Sequence, residues 1–365
     1  MSIIYGLGGD AKPRKIDKIS FKNDYSELCH EKVLKDLLKI NRKQFAGYSL
    51  DEINESAKFA ISRHFALDSE KVDMHFFATG IQCNSVFIRS VLKPFEAVIA
   101  CDTAHICVHE TGAIESNGNK ICVAPNHDGK LRVEDIEKIV DAHSSEHMVR
   151  PKLVFISQST ELGTIYTKKE LESIYKTCKQ LGLHLYIDGA RLGSALTSSA
   201  NDVKKQDIKK LCDAFYIGGN KNGSPFGECL VIINDDLKSD FRLHMKQKGA
   251  LIAKGYLLAS CFKTLFEGNL FFKLAKHANL MADKIRNAIV DSKMSQSCGF
   301  ARLTPTRDYG TNMIFAVLPN SRILELLKNF DFYVVKKFDE NHSVIRIVTS
   351  WATKEVDVDK FIGNL

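Results

Sequence analysis

Short apolar runs alternate with amphipathic segments along most of the chain, starting near residue 72. Five of these runs are rich in branched and aromatic residues and predict β-strands: DMHFFA (73–78), EAVIAC (96–101), KICVAP (120–125), KLVFIS (152–157) and HLYID (184–188). Segments with helical spacing separate several of them. We expect an α/β fold with a mostly parallel sheet and helices on both faces, because strands that alternate with helices form such sheets.

Three helical segments accompany these strands. One follows the first strand and ends near Lys93, and the others cover residues 133–143 and 167–181. The last begins with Thr167 and Glu170 in the spacing of a capping box, which satisfies free backbone N–H groups at a helix start. In sheets of this kind ligands bind at the carboxyl ends of the strands, so functional residues are expected there.

The pattern changes in the last third of the chain. Helical spacing begins near Gly255 and continues, with breaks, to about Asp291. Beyond it, three apolar runs predict strands (312–318, 332–338 and 343–351) and two amphipathic segments predict helices (323–329 and 356–362). We therefore predict an N-terminal arm (1–19), a large cofactor-binding domain (20–255) and a smaller C-terminal α+β domain (256–365).

Composition indicates an ordinary soluble protein. Apolar residues make up 44% of the 365 residues and charged residues 26%. No apolar stretch approaches the length of a membrane helix, and the N-terminus lacks the order of a secretory signal. The net charge of +7 comes from interleaved basic and acidic residues, so we expect no nucleic-acid partner and no membrane partner. The ten cysteines occur singly, which is typical of reduced thiols in the cytoplasm.

One lysine has an unusual setting, in the stretch FYIGGNKNGSPFGECLVI (215–232). The apolar ends predict two strands, and the bend between them contains Lys221 with glycines on both sides. A hairpin needs turn residues such as Asn222 and Gly223, but it does not need the lysine. Taken alone, Lys221 is an ordinary solvated turn residue. Together with the other strand ends, the stretch suggests that the glycines make room for a cofactor.

Other strand ends also carry polar residues. Thr79 and Gly80 precede a helix, whose N-terminus either holds a phosphate or is merely a helix start. Asp188 follows a strand and lies close to Arg191 in sequence, so it either caps a helix or pairs with a buried cation. An amine, a carboxylate and a phosphate-binding helix start are the groups that bind pyridoxal phosphate, whose ring accepts electrons from a substrate carbon. We therefore predict pyridoxal 5′-phosphate as the cofactor.

The chain resembles the low-specificity threonine aldolases, which are β-eliminating lyases with the aspartate-aminotransferase-like fold (fold type I) of pyridoxal-phosphate enzymes. It is most similar to a branch with a trypanosomatid member and, more distantly, to phenylserine aldolase. The resemblance extends from about Ser20 to the C-terminus. Seven motifs carry it: NDYS (23–26), GIQCN (80–84), AHICVHETGAIE (104–115), ISQSTELGT (156–164), IDGARLGSAL (187–196), GGNKNG (218–223) and RIVTSWAT (346–353).

The resemblance implies a role for each site residue. Lys221 is expected to bind the cofactor covalently, Asp188 to pair with its ring nitrogen and His105 to stack on its ring. Arg346 is expected to bind the substrate carboxylate, because a planar guanidinium forms two parallel hydrogen bonds with that group. Five further residues are expected to contact the cofactor: Thr79, Gly80, Ile81, Arg191 and Lys254. Three others are expected to contact the substrate: Asn23, Asp24 and Tyr48. The resemblance also implies a homodimer or homotetramer with shared active sites, and no metal.

Two positions depart from the family pattern. Many relatives have threonine or serine at the position of Ile81, so other groups must bind the phosphate, and Lys254 is one candidate. Bacterial relatives often have a histidine proposed as the base at the position of Glu161. A glutamate can serve there only if its environment lets it accept the proton of the substrate hydroxyl. There are therefore three candidates for the base that accepts this proton: Glu161, His105 and a water molecule.

We expect reversible cleavage of threonine, allo-threonine or related β-hydroxy-α-amino acids to glycine and an aldehyde. The nearest alternatives are phenylserine cleavage and β-elimination on the same fold. Three further alternatives are weaker. The first is a nucleotide-binding oxidoreductase, because GLGGDA (6–11) has the glycine spacing of a dinucleotide-binding loop. However, no strand precedes this segment, and Pro13 interrupts the helix that should follow. The second is a zinc hydrolase, but His105, His109 and Glu110 form an incomplete set of zinc ligands. The third is a non-catalytic scaffold, which would not need Lys221 in this setting.

Overall fold

The structure is a computed structural model that describes residues 17–291, 302–303 and 310–365. Most of the predicted N-terminal arm and the GLGGDA segment (6–11) lie outside the described residues. The strands are β1 (Ile19–Ser20), β2 (Asp73–Phe77), β3 (Glu96–Cys101), β4 (Lys120–Ala124), β5 (Arg150–Ser157), β6 (His184–Asp188), β7 (Ala214–Gly218), β8 (Glu228–Ile232), β9 (Arg302–Leu303), β10 (Met313–Pro319), β11 (Phe330–Asp331), β12 (Tyr333–Lys337) and β13 (His342–Val348).

Twelve α-helices connect these strands in the described part of the chain. They are α1 (Glu31–Ile40), α2 (Glu52–Phe65), α3 (Gly80–Val91), α4 (His105–Val108), α5 (Val133–Ala142), α6 (Lys168–Gln180), α7 (Leu192–Thr197), α8 (Phe241–Gln247), α9 (Tyr256–Phe266), α10 (Leu270–Asp291), α11 (Asn320–Asn329) and α12 (Glu355–Ile362). None of the described helices is both long enough and apolar enough to cross a membrane.

The large sheet has seven strands in the order β2-β8-β7-β6-β5-β3-β4. All of them run in one direction except β8, which is antiparallel to both of its neighbours. The central strands are apolar throughout because helices cover both faces of a parallel sheet, and every residue of β3 is buried. The predicted mostly parallel α/β sheet is confirmed, and the five predicted strands correspond to β2–β6.

Local sequence explains where several helices begin. The capping box predicted at α6 is present, with the Thr167 hydroxyl bonded to the Glu170 backbone N–H and the Glu170 side chain bonded to the Thr167 N–H. The long C-terminal helical pattern divides into α9 and α10, with Gly268 between them. Helices α1 and α2 lie upstream of residue 72, where the predicted alternation of strands and helices begins, so the prediction does not include them.

The C-terminal part contains an antiparallel sheet in the order β12-β13-β10-β9. Its apolar face packs with α10 around a second core that includes Ile285, Ala316 and Ile345. The N-terminal strand β1 pairs with β11, and Phe21 is buried in this same core. The smaller α+β unit of the prediction is therefore present, and residues 19–21 pack against it although they precede the large sheet in sequence.

Candidate active site

The loop between β7 and β8 carries Lys221 at the carboxyl edge of the large sheet. The Gly227 carbonyl closes this loop by accepting hydrogen bonds from Gly219 N–H at 3.0 Å and from the next N–H at 3.1 Å. At the other end of the loop, Gly223 O accepts a hydrogen bond from the N–H of His30, just before α1. Burial and the positive charge of Arg191 lower the pKa of Lys221. The amine is therefore easier to deprotonate than a lysine in water.

The glycines of this loop are needed for packing within the protein. A side-chain carbon on Gly218 would lie 2.3 Å from the Ala190 carbonyl oxygen, and one on Gly219 would lie 2.8 Å from the Gly227 oxygen. Gly223 has a φ of +90°, and a side chain there would meet Leu274 at 2.5 Å. The prediction that these glycines make room for a cofactor is wrong, since protein atoms already occupy the space beside them.

Asp188, the last residue of β6, is a buried carboxylate with two donors. Its Oδ1 accepts from the Ala190 backbone N–H at 2.9 Å, and its Oδ2 accepts from Asn84 Nδ2 at 3.2 Å. Asn84 lies on α3, and its own oxygen accepts from the Tyr186 hydroxyl at 3.0 Å. These contacts fix the carboxylate at the same sheet edge as Lys221.

A second buried carboxylate, Glu110, continues this network to His105. Its Oε1 lies 2.8 Å from Asn84 Nδ2 and 2.8 Å from His105 Nδ1. With Glu110 as the acceptor, Nδ1 carries the ring proton and Nε2 is the basic nitrogen of His105. Sequence analysis did not assign Asn84 to the site and considered Glu110 only as a metal ligand. Among the described residues, no group of three or more His, Cys, Asp or Glu side chains is arranged to hold a metal ion.

Glu161 faces His105 from the segment after β5. Its Oε1 accepts hydrogen bonds from the Ser157 hydroxyl at 2.7 Å and from the His105 backbone N–H at 3.0 Å. Its Oε2 is buried without a hydrogen-bond partner among the described residues. Burial raises the pKa of Glu161, with the nearby charge of Asp188 acting in the same direction. Such a carboxylate accepts a proton more readily than an exposed one.

His109 also belongs to this cluster, although sequence analysis considered it only as a zinc ligand. Its ring lies 5.4 Å from the His105 ring, centre to centre. Burial lowers the pKa of His109, and the charges of His105, Arg346 and Lys221 lower it further. The imidazole is therefore biased toward its neutral form, which can accept a proton.

Arg191 forms a two-pronged ion pair with Asp24. Its Nε and one terminal nitrogen donate to the two carboxylate oxygens at 2.7 and 3.0 Å. Asn312, immediately before β10, donates to the same carboxylate at 3.0 Å. Burial alone would raise the pKa of Asp24, but the charges of Arg191 and Lys221 outweigh burial and lower it. Sequence analysis placed Asp24 in the substrate pocket, and in the structure both of its oxygens bind Arg191.

Arg346 on β13 approaches the cluster from the C-terminal sheet. Its guanidinium lies over the Tyr333 ring, 4.6 Å from the ring centre. Its Nε is buried and has no hydrogen-bond partner among the described residues. Burial and the charge of Arg191 lower the pKa of Arg346. A buried donor without a partner costs free energy, so this nitrogen marks a position where an anionic ligand would be stabilised.

The start of α3 lies beside the Lys221 loop. Thr79 is the N-cap, and its hydroxyl oxygen accepts from the Gln82 backbone N–H at 3.1 Å. A side-chain carbon on Gly80 would lie 3.0 Å from the Tyr216 hydroxyl, so the backbone is close to β7 here. Ile81 follows with 41% of its surface exposed. Backbone N–H groups of a helix start can bind a phosphate without a hydroxyl at position 81.

The remaining predicted residues lie further out. Asn23 accepts hydrogen bonds from the Tyr25 N–H at 3.0 Å and from the Ser26 hydroxyl at 2.8 Å. Tyr48 and Lys254 are exposed and lie on adjoining segments, since the Tyr48 N–H donates to the Ala253 carbonyl at 3.0 Å. Among the described contacts, none joins either of these two side chains to the cluster around Lys221.

The cluster fits pyridoxal phosphate. Asp188 offers a buried carboxylate, Lys221 an amine with a lowered pKa, and the start of α3 a set of backbone donors. The unpartnered Nε of Arg346, on the C-terminal sheet, offers a site for a carboxylate, and Arg346 interacts electrostatically with Arg191 of the cluster. These are the groups that hold the ring nitrogen, the aldehyde, the phosphate and an amino-acid substrate in such enzymes.

Comparison with protein families matches residues 58–315 to the family described as beta-eliminating lyase. The chain belongs to this family. The low-specificity L-threonine aldolase of Pseudomonas sp. (strain NCIMB 10558) is 32% identical over 347 residues, which is 94% of this chain and 95% of that one. The match confirms the predicted resemblance to low-specificity threonine aldolases.

Solved structures agree with this assignment. The Leishmania major threonine aldolase is 45% identical, covers 94% of this chain and 98% of its own, and has a TM-score of 0.89. A Thermus thermophilus aspartate aminotransferase, at 12% identity and a TM-score of 0.66 over 96% of this chain and 91% of its own, shares the fold. The predicted fold type I architecture and the trypanosomatid resemblance are confirmed. This beta-eliminating lyase family member is a pyridoxal-phosphate-dependent enzyme.

Replacing Asp24 with asparagine removes the charge that pairs with Arg191. Breaking a buried ion pair in this way should lower the free energy of unfolding by about 3–5 kcal/mol at neutral pH. The folded pKa of Asp24 is below its ordinary value of 3.8, so the stability that this charge contributes is present above that value and lost as the pH falls through the folded pKa. Urea unfolding of wild type and Asp24→Asn, from neutral to acidic pH, measures both effects.

Asp331→Asn is the matched control for this measurement. Asp331 pairs with Lys22 at 3.4 Å, but 38% of its side chain is exposed, so we expect a change of about 0–1 kcal/mol. Equal effects of the two substitutions would contradict a structural role for the Asp24–Arg191 pair.

Proposed function

We propose that the protein cleaves threonine, allo-threonine and related β-hydroxy-α-amino acids between Cα and Cβ, reversibly, to give glycine and an aldehyde. The observation that carries this proposal is that Lys221 and Asp188 lie at one sheet edge, while Arg346, with its unpartnered Nε, approaches from the C-terminal sheet and interacts electrostatically with His109 and Arg191. The similarity to threonine aldolases over nearly the whole chain supports it and does not favour β-elimination.

Pyridoxal phosphate, when bound, supplies a protonated ring that accepts the electron pair left on Cα as the Cα–Cβ bond breaks. Lys221 would hold its aldehyde carbon, and burial of the amine favours the neutral, nucleophilic form. Asp188 would keep the ring nitrogen protonated, since Asn84 and the Ala190 N–H fix the carboxylate in place. The start of α3 would hold the phosphate, and Arg191, fixed by Asp24, would lie near the ring oxygen.

Arg346 would orient the substrate through its carboxylate. A guanidinium held over Tyr333 presents Nε to the site, and an incoming carboxylate would satisfy this buried donor. Because Arg346 comes from β13 and Lys221 from the large sheet, the substrate would bind between the two sheets.

The β-hydroxyl proton must pass to a base as the Cα–Cβ bond breaks. Glu161 has a raised pKa and a buried, unpartnered oxygen, which suits proton acceptance. His105 has its Nδ1 bonded to Glu110, so its Nε2 is the basic nitrogen, and His109 is biased toward the neutral form. These three side chains, or a water held by them, are the proposed proton acceptors.

The protein is proposed to act in the cytoplasm as a homodimer or homotetramer. The nine cysteines in the described ranges are free thiols, which suits a reducing compartment. Exposed apolar side chains are frequent in the N-terminal part of the chain, which supports a subunit interface there: Tyr25, Leu28, Leu34, Leu38, Tyr48, Leu50 and Phe59. We also retain 20–255 and 256–365 as the proposed domains, with residues 19–21 packed on the second.

Lys221→Ala should abolish both the visible absorption of the bound cofactor and the release of aldehyde from threonine. The reason is that no other amine replaces the one that would hold the cofactor. Absorbance after incubation with pyridoxal phosphate and a coupled aldehyde assay measure the two effects. Lys210→Ala, on the surface, is the control, and full activity of Lys221→Ala would overturn the proposal.

Arg346→Ala should weaken substrate binding by about 2–5 kcal/mol, because the substrate carboxylate would lose its buried partner. We expect this loss mainly as a higher KM, while cofactor absorption stays unchanged. Arg346→Lys should recover only part of it, since lysine cannot form the two-pronged contact. Arg63→Ala, an exposed arginine, is the control for net charge. An unchanged KM for Arg346→Ala would remove this residue from the substrate site.

A shared active site can be tested by mixing subunits. If Lys254 serves the site of a partner subunit, Lys221→Ala and Lys254→Ala are each impaired alone, but a mixed dimer contains one intact site. We expect mixing under subunit exchange to restore up to about a quarter of wild-type activity. No recovery, although capture through a tag on one variant shows that mixed dimers have formed, would contradict the shared site.

A further inference from the structure

Glu228 is a buried acidic residue that the proposed function does not yet use. It is the first residue of β8, and 5% of its surface is exposed. Because β8 runs antiparallel to its neighbours, this first residue lies at the sheet edge where β2 and β7 end. Glu228 is paired in register with Phe77 and with Gly218. It therefore lies between the segment that leads into α3 and the loop that carries Lys221.

The carboxylate of Glu228 is held against this loop. Its Oε2 accepts a hydrogen bond from the Gly219 N–H at 3.2 Å. Its Oε1 lies 3.9 Å from the position that a side-chain carbon on Gly80 would take. The carboxylate also interacts electrostatically with the Lys221 amine, each favouring the charged form of the other. The hydrogen bond with the Gly219 N–H thus holds the carboxylate against the loop that carries the amine.

Burial brings the pKa values of Glu228 and Lys221 closer together. Burial raises the pKa of Glu228 to about 8, although the charge of Lys221 opposes this rise. Burial lowers the pKa of Lys221. The charge state of each group therefore depends on the charge state of the other. The titratable groups that interact with Glu228 are Lys221 in the loop, Asp188 on β6, Tyr216 on β7, Cys83 on α3 and Cys229 on β8 itself.

We propose that Glu228 is a positioning residue whose carboxylate, held on the loop that carries Lys221, stabilises positive charge on the Lys221 amine and thereby sets the protonation state of that amine. The carboxylate acts through its charge, from the position fixed by its hydrogen bond with the Gly219 N–H. The inference rests on the proposed function, because it concerns the amine that would hold the cofactor.

The test is a spectroscopic pH titration of the holoenzyme in wild type and in Glu228→Gln. Glutamine keeps an acceptor for the Gly219 N–H but cannot carry a charge. A carboxylate beside Lys221 stabilises positive charge on Nζ, so its removal should lower the pH at which the visible absorption of the bound cofactor changes. We expect a downward shift of about one pH unit, a tenfold change in the protonation equilibrium. Glu228→Asp should move the midpoint back toward wild type.

Glu96→Gln is the matched control. Glu96 is also buried, is also the first residue of its strand and also accepts a backbone hydrogen bond, from the Lys93 N–H at 2.9 Å. It lies at the opposite edge of the sheet, so its substitution should not change the midpoint. A Glu228→Gln midpoint equal to that of wild type overturns the inference and leaves the proposed function standing. A wild type without visible absorption after incubation with pyridoxal phosphate overturns both.

An infrared titration keeps the inference testable if Glu228→Gln does not fold. Few carboxyl groups titrate above neutral pH, so wild type should lose a carboxylic-acid C=O band between about pH 7 and 9. In Lys221→Ala the midpoint of this loss should rise, because the positive charge that lowers the pKa of Glu228 is gone. Absence of the band, or an unchanged midpoint in Lys221→Ala, would overturn the inference.

Discussion

The buried carboxylate of Asp188 is the group on which the arrangement of the site depends. An ionised carboxylate taken out of water is stable only when hydrogen-bond donors or positive charges replace the water. Here the Ala190 N–H and Asn84 supply the donors. Asn84 also binds Glu110, and Glu110 binds His105. One electrostatic requirement at the end of β6 therefore fixes α3 and orients a histidine on the next segment.

A second network joins the two sheets. Asp24 lies near the chain start, Arg191 follows β6 and Asn312 precedes β10, and the three meet through hydrogen bonds of 2.7 to 3.0 Å. This contact ties the C-terminal sheet, which carries Arg346, to the sheet edge that carries Lys221. The proposed cofactor and substrate groups thus come from different parts of the chain, and their spacing depends on this buried ion pair.

Sequence patterns predicted the parts of the fold that local residues decide. The branched and aromatic runs of β3 and β6 and the capping box at Thr167 and Glu170 depend on neighbours only a few residues away. The family motifs also predicted a role for Lys221 and Asp188, which lie at the same edge of the large sheet. The glycines beside Lys221 were correctly located but misinterpreted, because what their missing side chains would meet is known only once distant segments are placed.

Two of the contacts that the sequence patterns missed join residues that are remote in sequence. Arg191 and Asp24 are 167 positions apart, and Asn84 and Glu110 are 26 apart. Glu228 begins an apolar run that predicts a strand, and nothing in that pattern gives it a role in the site. Its placement beside Lys221 follows only from the reversed direction of β8. Local periodicity contains no information about such contacts, whereas the sheet order determines them.

A crystal structure of the protein with pyridoxal phosphate bound tests the central claim most directly. We expect continuous electron density from Lys221 Nζ to the cofactor, with the ring nitrogen about 3 Å from a carboxylate oxygen of Asp188. The phosphate should lie at the start of α3. A cofactor bound elsewhere, or a Lys221 amine and an Asp188 carboxylate that face away from a common ligand, would contradict the account.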